Sequence, residues 1–272
     1  MTRQNDKEKV RAFYDLVSSH FHDLWGEHFH HGYWIRGDET KERAQIQLID
    51  HLAQRANLRP GCRILDVGCG TGASSIYLAK HCQVEATGIT ISAVQVNLAR
   101  QAAARENMNA RFLLMDAEAM QFEELFDVVW SVESISHYQD IAKFFAATEK
   151  LLTPNGTLAV IDWFKTENLN PAEYKRNIAP IEKGMLVELR TMQEYEAWIT
   201  ANRLKIVKTE ILNEHCAKSW DLGLDIIRNR SLWKLAATHG AMFVDFLRAF
   251  RAMRAGFASG KFVYGLVVAQ KI

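Results

Sequence analysis

The chain has 272 residues, and its 33 lysines and arginines nearly balance its 32 aspartates and glutamates, so the formal net charge at pH 7 is +1. This balance argues against a nucleic-acid-binding protein, which usually carries an excess of basic charge. Hydrophobic residues make up 48% and charged residues 24% of the chain, which is typical of a globular protein and excludes a disordered or fibrous one.

Short β-type runs alternate with helical runs through the middle of the chain. The predicted elements are a strand over 63–67, a helix over 73–81, a strand over 84–89, a helix over 92–105, strands over 111–115 and 126–130, a helix over 141–152 and a strand over 157–163. Pro154 and Gly156 predict a turn before the last of these strands. This alternation predicts an α/β fold with a doubly wound, mostly parallel sheet.

Two segments with a mostly helical pattern flank this region. Residues 1–55 are predicted to form an N-terminal helical lid over the ligand-binding core at 56–165. Residues 166–272 are predicted to complete a seven-stranded sheet with strands over 204–210 and 262–269, and to form a helical substrate cap. Because no low-complexity linker separates the three parts, we expect a single interlocked domain.

The cap contains an apolar stripe at helical spacing near the C-terminus. The stripe residues are Phe243, Phe246, Leu247, Phe250 and Met253, with Arg248, Arg251 and Arg254 displaced from them. This pattern predicts a helix packed on the sheet, with a helix lying on a membrane surface as the alternative. The aromatic residues expected to line an acceptor pocket are Trp198, Trp220, Trp233, Phe243 and Phe246.

The beginning of the chain and its cysteines indicate a cytoplasmic protein. The first ten residues lack the apolar centre of a secretory signal, and no apolar stretch approaches the ~18 residues that span a bilayer. Cys62, Cys69, Cys82 and Cys216 contain no C-x-x-C pair and lie within apolar patterns. We therefore expect them to be reduced packing residues.

A glycine-rich turn, DVGCGTG at 66–72, lies between the first predicted strand and the first helix. Glycines at such a turn allow a tight bend and a close approach of a ligand to the backbone; a tight turn without a ligand is the alternative. The loop lacks the G-x-G-x-x-G fingerprint of dinucleotide sites, and the second strand ends in GIT without the usual acid. Nor is there a G-K-[ST] phosphate loop. These features favour a ligand with a ribose and an adenine but no pyrophosphate.

Five motifs in order resemble those of class I S-adenosylmethionine-dependent methyltransferases: LDVGCGTG, TGITISAVQV, MDAEAM, FDVVWSVESISHY and LLTPNGTLAVIDW. The stretch FHDLWGEHFHHGYW, together with GITISAVQV, is similar to a subgroup that contains tocopherol, demethylrebeccamycin-glucoside, sterol and cyclopropane-lipid methyltransferases. The match covers nearly the whole chain. It implies S-adenosyl-L-methionine as the cofactor and makes residues 56–165 the cofactor-binding core, but it does not specify the acceptor.

The resemblance also implies which residues meet the methionyl part of the cofactor. Gly68, Cys69 and Gly70 would pass under it, and Asp66 would support the loop. Tyr14 would approach the cofactor from the N-terminal segment, with packing in an amphipathic helix as its alternative role.

The rest of the cofactor site is implied in the same way. Thr90 and Gln95 would take the place of the acid that binds the ribose in many class I enzymes, because a hydroxyl and an amide can also pair with ribose hydroxyls. Asp116 and Ala117 would face the adenine. Val132 would lie near the sulfonium.

Candidate catalytic residues follow the fourth and fifth predicted strands. A neutral hydroxyl acceptor is expected to need a base within hydrogen-bond reach, and neighbouring parallel strands bring their carboxyl ends together. His137 and Asp162 are therefore predicted to be a base and its orienting partner, and these positions resemble the His and Asp of the sugar O-methyltransferases. The alternative is that His137 only shapes the pocket and Asp162 only caps backbone groups.

Two further residues bear on the reaction type. Glu133 could stabilise a carbocation during carbon methylation, with a role as a pocket wall as its alternative. Ser136 stands where cyclopropane-forming members of the subgroup have a Glu, which counts against cyclopropanation.

The sequence thus predicts an S-adenosylmethionine-dependent methyltransferase that acts on a small, largely apolar or aromatic acceptor, a secondary metabolite or quinol, by oxygen methylation. Carbon or nitrogen methylation of a terpenoid, aromatic or amine acceptor is the alternative. A non-methylating protein on the same scaffold and a nicotinamide dehydrogenase are less favoured. We expect no metal, because nothing completes a ligand set around His28, His30 and His31. We also expect no nucleic-acid partner and no integral membrane contact, and a homo-oligomer is left open.

Overall fold

A computed structural model describes residues 3–229, 232–233 and 240–272. Seven strands form one sheet in the order β3-β2-β1-β4-β5-β7-β6. The strands are β1 Arg63–Val67, β2 Glu85–Thr90, β3 Arg111–Leu114, β4 Phe126–Val132, β5 Leu152–Lys165, β6 Leu204–Ile211 and β7 Phe262–Lys271. The first five run parallel, and β7 runs antiparallel to both β5 and β6. The predicted α/β class with a doubly wound, mostly parallel seven-stranded sheet is confirmed.

Helices connect the strands and cover the sheet. Within the described residues they are α1 Arg3–Trp25, α2 Lys41–Arg55, α3 Ala73–Cys82, α4 Ala93–Arg105, α5 Ile141–Leu151, α6 Pro171–Asn177, α7 Ala179–Met185, α8 Met192–Ala201, α9 Asn213–Cys216, α10 Lys218–Ile226 and α11 Ala241–Ser259. Local sequence sets several of their ends. The Ser92 hydroxyl accepts a hydrogen bond from the Gln95 amide and so caps α4, while Thr191 and Glu194 form a capping box at α8.

The predicted turn at 153–156 lies inside β5 and not before it. Phe126 pairs with Leu152, and the next pair joins Val128 to Thr157. The four residues between these partners therefore leave the ladder. Asn155 has a positive φ of 61°, and proline has no N–H to donate to a neighbouring strand. Pro154 and Gly156 thus mark an irregularity within β5. This strand begins at Leu152, directly after the end of α5 at Leu151.

Strand β7 enters the sheet between β5 and β6 and so brings the C-terminal part of the chain beside β5. Tyr264 pairs with Trp163 and Gly265 with Asp162. Most of β7 is buried, which fits its near-continuous apolar sequence, because a strand covered on both faces does not alternate. The phenol of Tyr264 consequently lies beside the ends of β4 and β5.

Helix α11 packs on the body of the protein. The stripe residues Phe243, Phe246, Leu247, Phe250 and Met253 are each at most 5% exposed, so they are not available to a membrane surface. The packed-helix prediction is confirmed, and its membrane-surface alternative is wrong. In the described part of the chain no helix is both long and apolar enough to cross a bilayer. All four cysteines are free thiols, and Cys69 and Cys216 are buried.

Candidate active site

A cavity lies at the carboxyl ends of β1, β2 and β4, beneath α1. Its walls are the glycine loop, the strand ends, the segment 27–31 and aromatic residues of the cap. All residues that the sequence assigned to the cofactor line it, namely Tyr14, Asp66, Gly68, Cys69, Gly70, Thr90, Gln95, Asp116, Ala117 and Val132. Glu133 and His137 line it as well. Asp162 is fully buried outside this lining.

Three glycines of the loop have positive φ, and two of them, Gly68 and Gly70, line the cavity. Gly68 has a φ of 80°, and a Cβ placed on it would lie 1.8 Å from Oγ of Ser134. Gly70 has a φ of 54°, but its nearest neighbour in that direction is Nε2 of Gln95, 4.0 Å away. Gly68 therefore packs against the turn after β4, whereas Gly70 leaves open space above the loop, where a ligand can approach the backbone.

Asp66 supports this loop from below. Its side chain accepts a 2.6 Å hydrogen bond from the Ser75 hydroxyl of α3. Burial raises the pKa of Asp66 to about 7. The amides of Gly68 and Cys69 both donate to the Ile89 carbonyl of β2. The loop is thus fixed to its two neighbouring elements.

The residues assigned to the ribose form a chain of hydrogen bonds that ends on α1. The Thr90 hydroxyl donates to Oε1 of Gln95 over 2.7 Å. Nε2 of Gln95 donates to the Ser18 hydroxyl over 3.0 Å. Ser92, which caps α4, donates to the Asp15 carboxylate of the same helix. The predicted partners Thr90 and Gln95 therefore do lie together.

A lysine of α1 meets Asp116, which was assigned to the adenine, and the nearby Glu118. Nζ of Lys7 lies 2.7 Å from Oδ2 of Asp116 and 3.1 Å from Oε2 of Glu118. Oδ1 of Asp116 accepts a hydrogen bond from the Glu118 amide, which fixes the carboxylate at the end of β3. Nothing in the sequence around Lys7 marked it as part of the site.

His137 is oriented by a backbone carbonyl and a phenol. Nδ1 lies 3.2 Å from the Leu186 carbonyl; because a carbonyl only accepts, Nδ1 carries the proton. Nε2 then accepts the hydrogen bond from the Tyr14 hydroxyl, 2.7 Å away. Burial lowers the pKa of His137 to about 4, against the raising effect of the Leu186 carbonyl and Glu133, and burial raises the pKa of Tyr14. Both side chains are therefore neutral near pH 7.

Asp162 does not contact His137, so the prediction that it orients this base is wrong. Its Oδ2 accepts from the Ser136 amide over 2.9 Å and from the Tyr195 hydroxyl over 3.0 Å. Its Oδ1 accepts from the Trp163 amide. Burial raises the pKa of Asp162 to about 7. The geometry matches the alternative, a carboxyl that caps backbone groups beneath the turn.

Glu133 is held in an unusual conformation at the end of β4. Its φ is 52°, a region that side chains other than Gly, Asn and Asp seldom adopt. Oε1 accepts three hydrogen bonds, from the His31 amide at 2.7 Å, from Nδ1 of His31 at 2.8 Å and from the Tyr264 hydroxyl at 2.7 Å. Burial acts to raise the pKa of Glu133, but its interactions with His31 hold that pKa below the ordinary value.

The half of the cavity away from the glycine loop is aromatic. It is lined by Trp25, Trp163, Trp220, Phe246 and Phe250. The indole nitrogens of the three tryptophans are buried and find no hydrogen-bond partner among the described residues. This half therefore offers apolar ring faces, which suit a largely apolar ligand.

The sequence placed only part of this wall correctly. Trp220 and Phe246 line the cavity as predicted. Trp198 lies instead in a separate apolar cluster around α5 and α8. Trp233 donates to the Ile227 carbonyl and is 38% exposed, while Phe243 is buried in the core. For these three residues the prediction is wrong, because helical periodicity does not reveal which neighbour each face will meet.

Other site residues had no detectable signal in the sequence. Tyr264 reaches Glu133 only because β7 inserts between β5 and β6. Leu186 contributes a backbone carbonyl, which no side-chain pattern can indicate. In the sequence, nothing distinguishes Trp25 and Trp163 from ordinary core residues.

The histidines near the N-terminus belong to the cavity wall. His28, His30 and His31 all line it. Nδ1 of His30 donates to the His31 carbonyl, and His31 binds Glu133. Across the part of the chain that the structure describes, no three His, Cys, Asp or Glu side chains are arranged to hold a metal ion.

A family model and individual relatives both match most of this chain. Residues 1–258 match the family model described as mycolic acid cyclopropane synthetase. The 27-O-demethylrifamycin SV methyltransferase of Amycolatopsis mediterranei (strain S699) is 31% identical over 258 residues, which cover 93% of each chain. The chloroplastic tocopherol O-methyltransferase of Arabidopsis thaliana is 28% identical over 292 residues, covering 97% of this chain and 82% of that protein.

Solved structures confirm the architecture. The mycolic acid cyclopropane synthase CmaA1, complexed with SAH and CTAB, superposes with a TM-score of 0.86 at 24% identity, covering 97% of this chain and 98% of the other. The [4+2]-cyclase SpnF gives a TM-score of 0.85 at 24% identity, covering 96% and 94%. At this level of identity the likeness establishes the fold alone.

Proposed function

The chain belongs to the mycolic acid cyclopropane synthetase family and is an S-adenosylmethionine-dependent methyltransferase of small molecules, and within that family we propose that it methylates a hydroxyl oxygen of a largely apolar, aromatic acceptor. The hydrogen bond between Tyr14 and His137 is the observation that carries this proposal. It places a neutral imidazole nitrogen, already in contact with a phenol, at the wall of the cavity.

The cavity suits the cofactor on structural grounds. The open space above Gly70 is one that a side chain would fill. Thr90 and Gln95 offer a hydroxyl and an amide toward ribose hydroxyls, and Asp116 offers a carboxylate oxygen toward an adenine amine. When bound, S-adenosylmethionine supplies a methyl group on a positively charged sulfur, so the leaving group is already activated.

The chain's own residues then have to orient the acceptor and remove its proton. The acceptor hydroxyl donates its proton to the Tyr14 oxygen while Tyr14 passes its own proton to Nε2 of His137. The Leu186 carbonyl keeps the proton of Nδ1 in place, so the imidazole receives the new proton at Nε2 only. The phenol needs no free tyrosinate, which is consistent with its raised pKa. Methyl transfer thus yields the methyl ether, S-adenosylhomocysteine and a protonated His137.

Two features support the aromatic, apolar nature of the acceptor. The tryptophans and phenylalanines of the cavity provide faces for a flat ring. In addition, relatives act on 27-O-demethylrifamycin SV, on tocopherol oxygen and on 2-methyl-6-phytyl-1,4-hydroquinone, according to their names. A small molecule is also a better partner than a nucleic acid for a chain with a net charge of +1.

Carbon or nitrogen methylation is the second candidate. It is favoured by the carboxylate of Glu133, which lines the cavity and can stabilise positive charge on the acceptor. Ser136 still stands where cyclopropane-forming members carry a Glu. The two candidates differ in their dependence on a base, because an alkene has no acidic proton to lose before the methyl group arrives.

The test begins with calorimetric titration of S-adenosylhomocysteine, with NADH as the control ligand. Labelled methyl donor is then used with a panel of hydroxylated aromatic compounds and their methyl ethers. We expect binding of the first ligand only, and methylation of free hydroxyls. His137→Ala should lower kcat by ~10²–10⁴, whereas His81→Ala, on the exposed surface of α3, should not. Equal rates for the two variants would overturn the proposal.

A further inference from the structure

The conformation of Glu133 calls for an explanation beyond packing. A glutamate gains nothing intrinsic from a left-handed backbone, and such strained residues persist only where their surroundings fix them. Here the His31 amide, the His31 ring and the Tyr264 hydroxyl all donate to the same carboxylate oxygen. Two segments distant in sequence, the one before α2 and strand β7, therefore converge to hold one carboxylate at the cavity wall.

The second oxygen of this carboxylate is unused. Among the described residues Oε2 of Glu133 has no hydrogen-bond donor, although the side chain is only 9% exposed. No lysine or arginine in that part of the chain forms an ion pair with it; its one ionisable partner in such a pair is His31. The Tyr264 phenol stays neutral because burial raises its pKa. The carboxylate stays ionised, because its interactions with His31 hold its pKa below the ordinary value, so it can attract a cationic ligand into the cavity that it lines.

The charged and titratable groups around the carboxylate define where such a ligand would sit. His30 and His31 face it from the segment before α2, and Tyr264 from β7. Its electrostatic effect also reaches Tyr14 on α1 and His137 after β4. Asp162 of β5 also helps to raise the pKa of Tyr14. Its carboxyl oxygens, however, already accept hydrogen bonds from Ser136 and Tyr195. Glu133 is therefore the carboxylate that the reacting centre can use.

We propose that Glu133 is the counter-charge of the cofactor's sulfonium, so that the site binds S-adenosylmethionine in preference to its neutral product, S-adenosylhomocysteine. The inference rests on the proposed function for the identity of the base. Methyl transfer moves one positive charge from sulfur to His137, and Glu133 lies close enough to influence that imidazole. The carboxylate therefore faces one positive charge both before and after the reaction. S-adenosylhomocysteine is released because its sulfur no longer carries the positive charge that Glu133 attracts.

The discriminating variant is Glu133→Gln. The amide oxygen can still accept hydrogen bonds from the amide, the ring and the phenol that hold Oε1, but the negative charge is gone. We expect calorimetry to give a Kd for S-adenosylmethionine about tenfold higher than in the unaltered protein, and a Kd for S-adenosylhomocysteine changed less than twofold. Glu85→Gln is the matched control, because Glu85 is an exposed residue at the start of β2 and outside the cavity lining, where water screens the charge.

A second variant covers the case in which Glu133→Gln does not fold. Tyr264→Phe removes one donor and keeps the carboxylate, so the preference for S-adenosylmethionine should persist or increase. Equal losses of affinity for both ligands in Glu133→Gln, or no preference in Tyr264→Phe, would overturn the inference. Because neither titration contains an acceptor, these results do not depend on which atom is methylated. Failure of the proposed oxygen methylation would appear separately, as full activity of His137→Ala.

Discussion

The Tyr14 hydroxyl lies 2.7 Å from Nε2 of His137, so that α1 is joined to the turn after β4 across the cavity. The same helix reaches Asp116 through Lys7 and Gln95 through Ser18. One helix thus touches the adenine end, the ribose end and the proton acceptor of the proposed site. Its position must be set before the acceptor hydroxyl can meet Tyr14, which ties cofactor binding to proton transfer.

Replacing Tyr14 with Phe tests the proton relay. The phenyl ring keeps the edge contact with the His137 ring but cannot pass a proton. We expect kcat to fall by ~10² or more, within the range of general-base loss, with little change in the Kd of S-adenosylhomocysteine. Because both residues act through one hydrogen bond, Tyr14→Phe combined with His137→Ala should cost no more than His137→Ala alone. Losses that multiply in the double variant would show independent roles.

Lys7→Ala tests the contact of α1 with the adenine end. The Lys7 side chain is 31% exposed and that of Asp116 36% exposed, and such ion pairs contribute only ~0.2–1 kcal/mol. We therefore expect dissociation of S-adenosylhomocysteine to become about 1.4- to fivefold faster, measured by stopped-flow displacement. Lys143→Ala on the surface of α5 serves as the control, since its side chain is 67% exposed. An unchanged dissociation rate in Lys7→Ala would mean that this contact does not hold the helix over the cofactor.

The parts of the site that the sequence predicted are local in the chain. Thr90 and Gln95 are separated by one turn and a helix cap, so their hydrogen bond follows from the βα unit itself. Asp162 shows where such reasoning ends. The direction of the Asp162 side chain is set by the hydroxyl of Tyr195 in α8. Tyr195 lies 30 positions after Lys165, the last residue of β5. Strand neighbours bring two residues to the same edge, but tertiary packing decides whether their side chains meet.

Gly68 and Gly70 give a paired test of the loop. An alanine at Gly68 would combine a φ of 80° with a Cβ placed 1.8 Å from Oγ of Ser134, which the buried turn cannot accommodate. An alanine at Gly70 meets only the backbone cost of a left-handed conformation, ~1–2 kcal/mol. We expect Gly68→Ala to lower the melting temperature strongly or prevent folding, and Gly70→Ala to fold with weakened cofactor binding. Similar melting temperatures for the two variants would contradict the close packing of Gly68 on Ser134.

Asp162→Asn separates a structural carboxyl from a catalytic one through its pH dependence. Burial raises the pKa of Asp162 to about 7, whereas an unfolded aspartate titrates near ~3.9. Between these values the folded state binds the extra proton, so the contribution of Asp162 to stability is lost as pH rises, by ~1.4 kcal/mol per pH unit. Urea unfolding from pH 4.5 to 7 should show the asparagine variant gaining stability relative to the unaltered protein as pH increases. Altered hydrogen bonds would shift the free energy of unfolding of the variant by a constant amount and would not change this trend. Its kcat should fall less than tenfold, because Asp162 does not touch His137. A stability difference that is flat with pH, together with a kcat as low as that of His137→Ala, would restore Asp162 as the partner of the base.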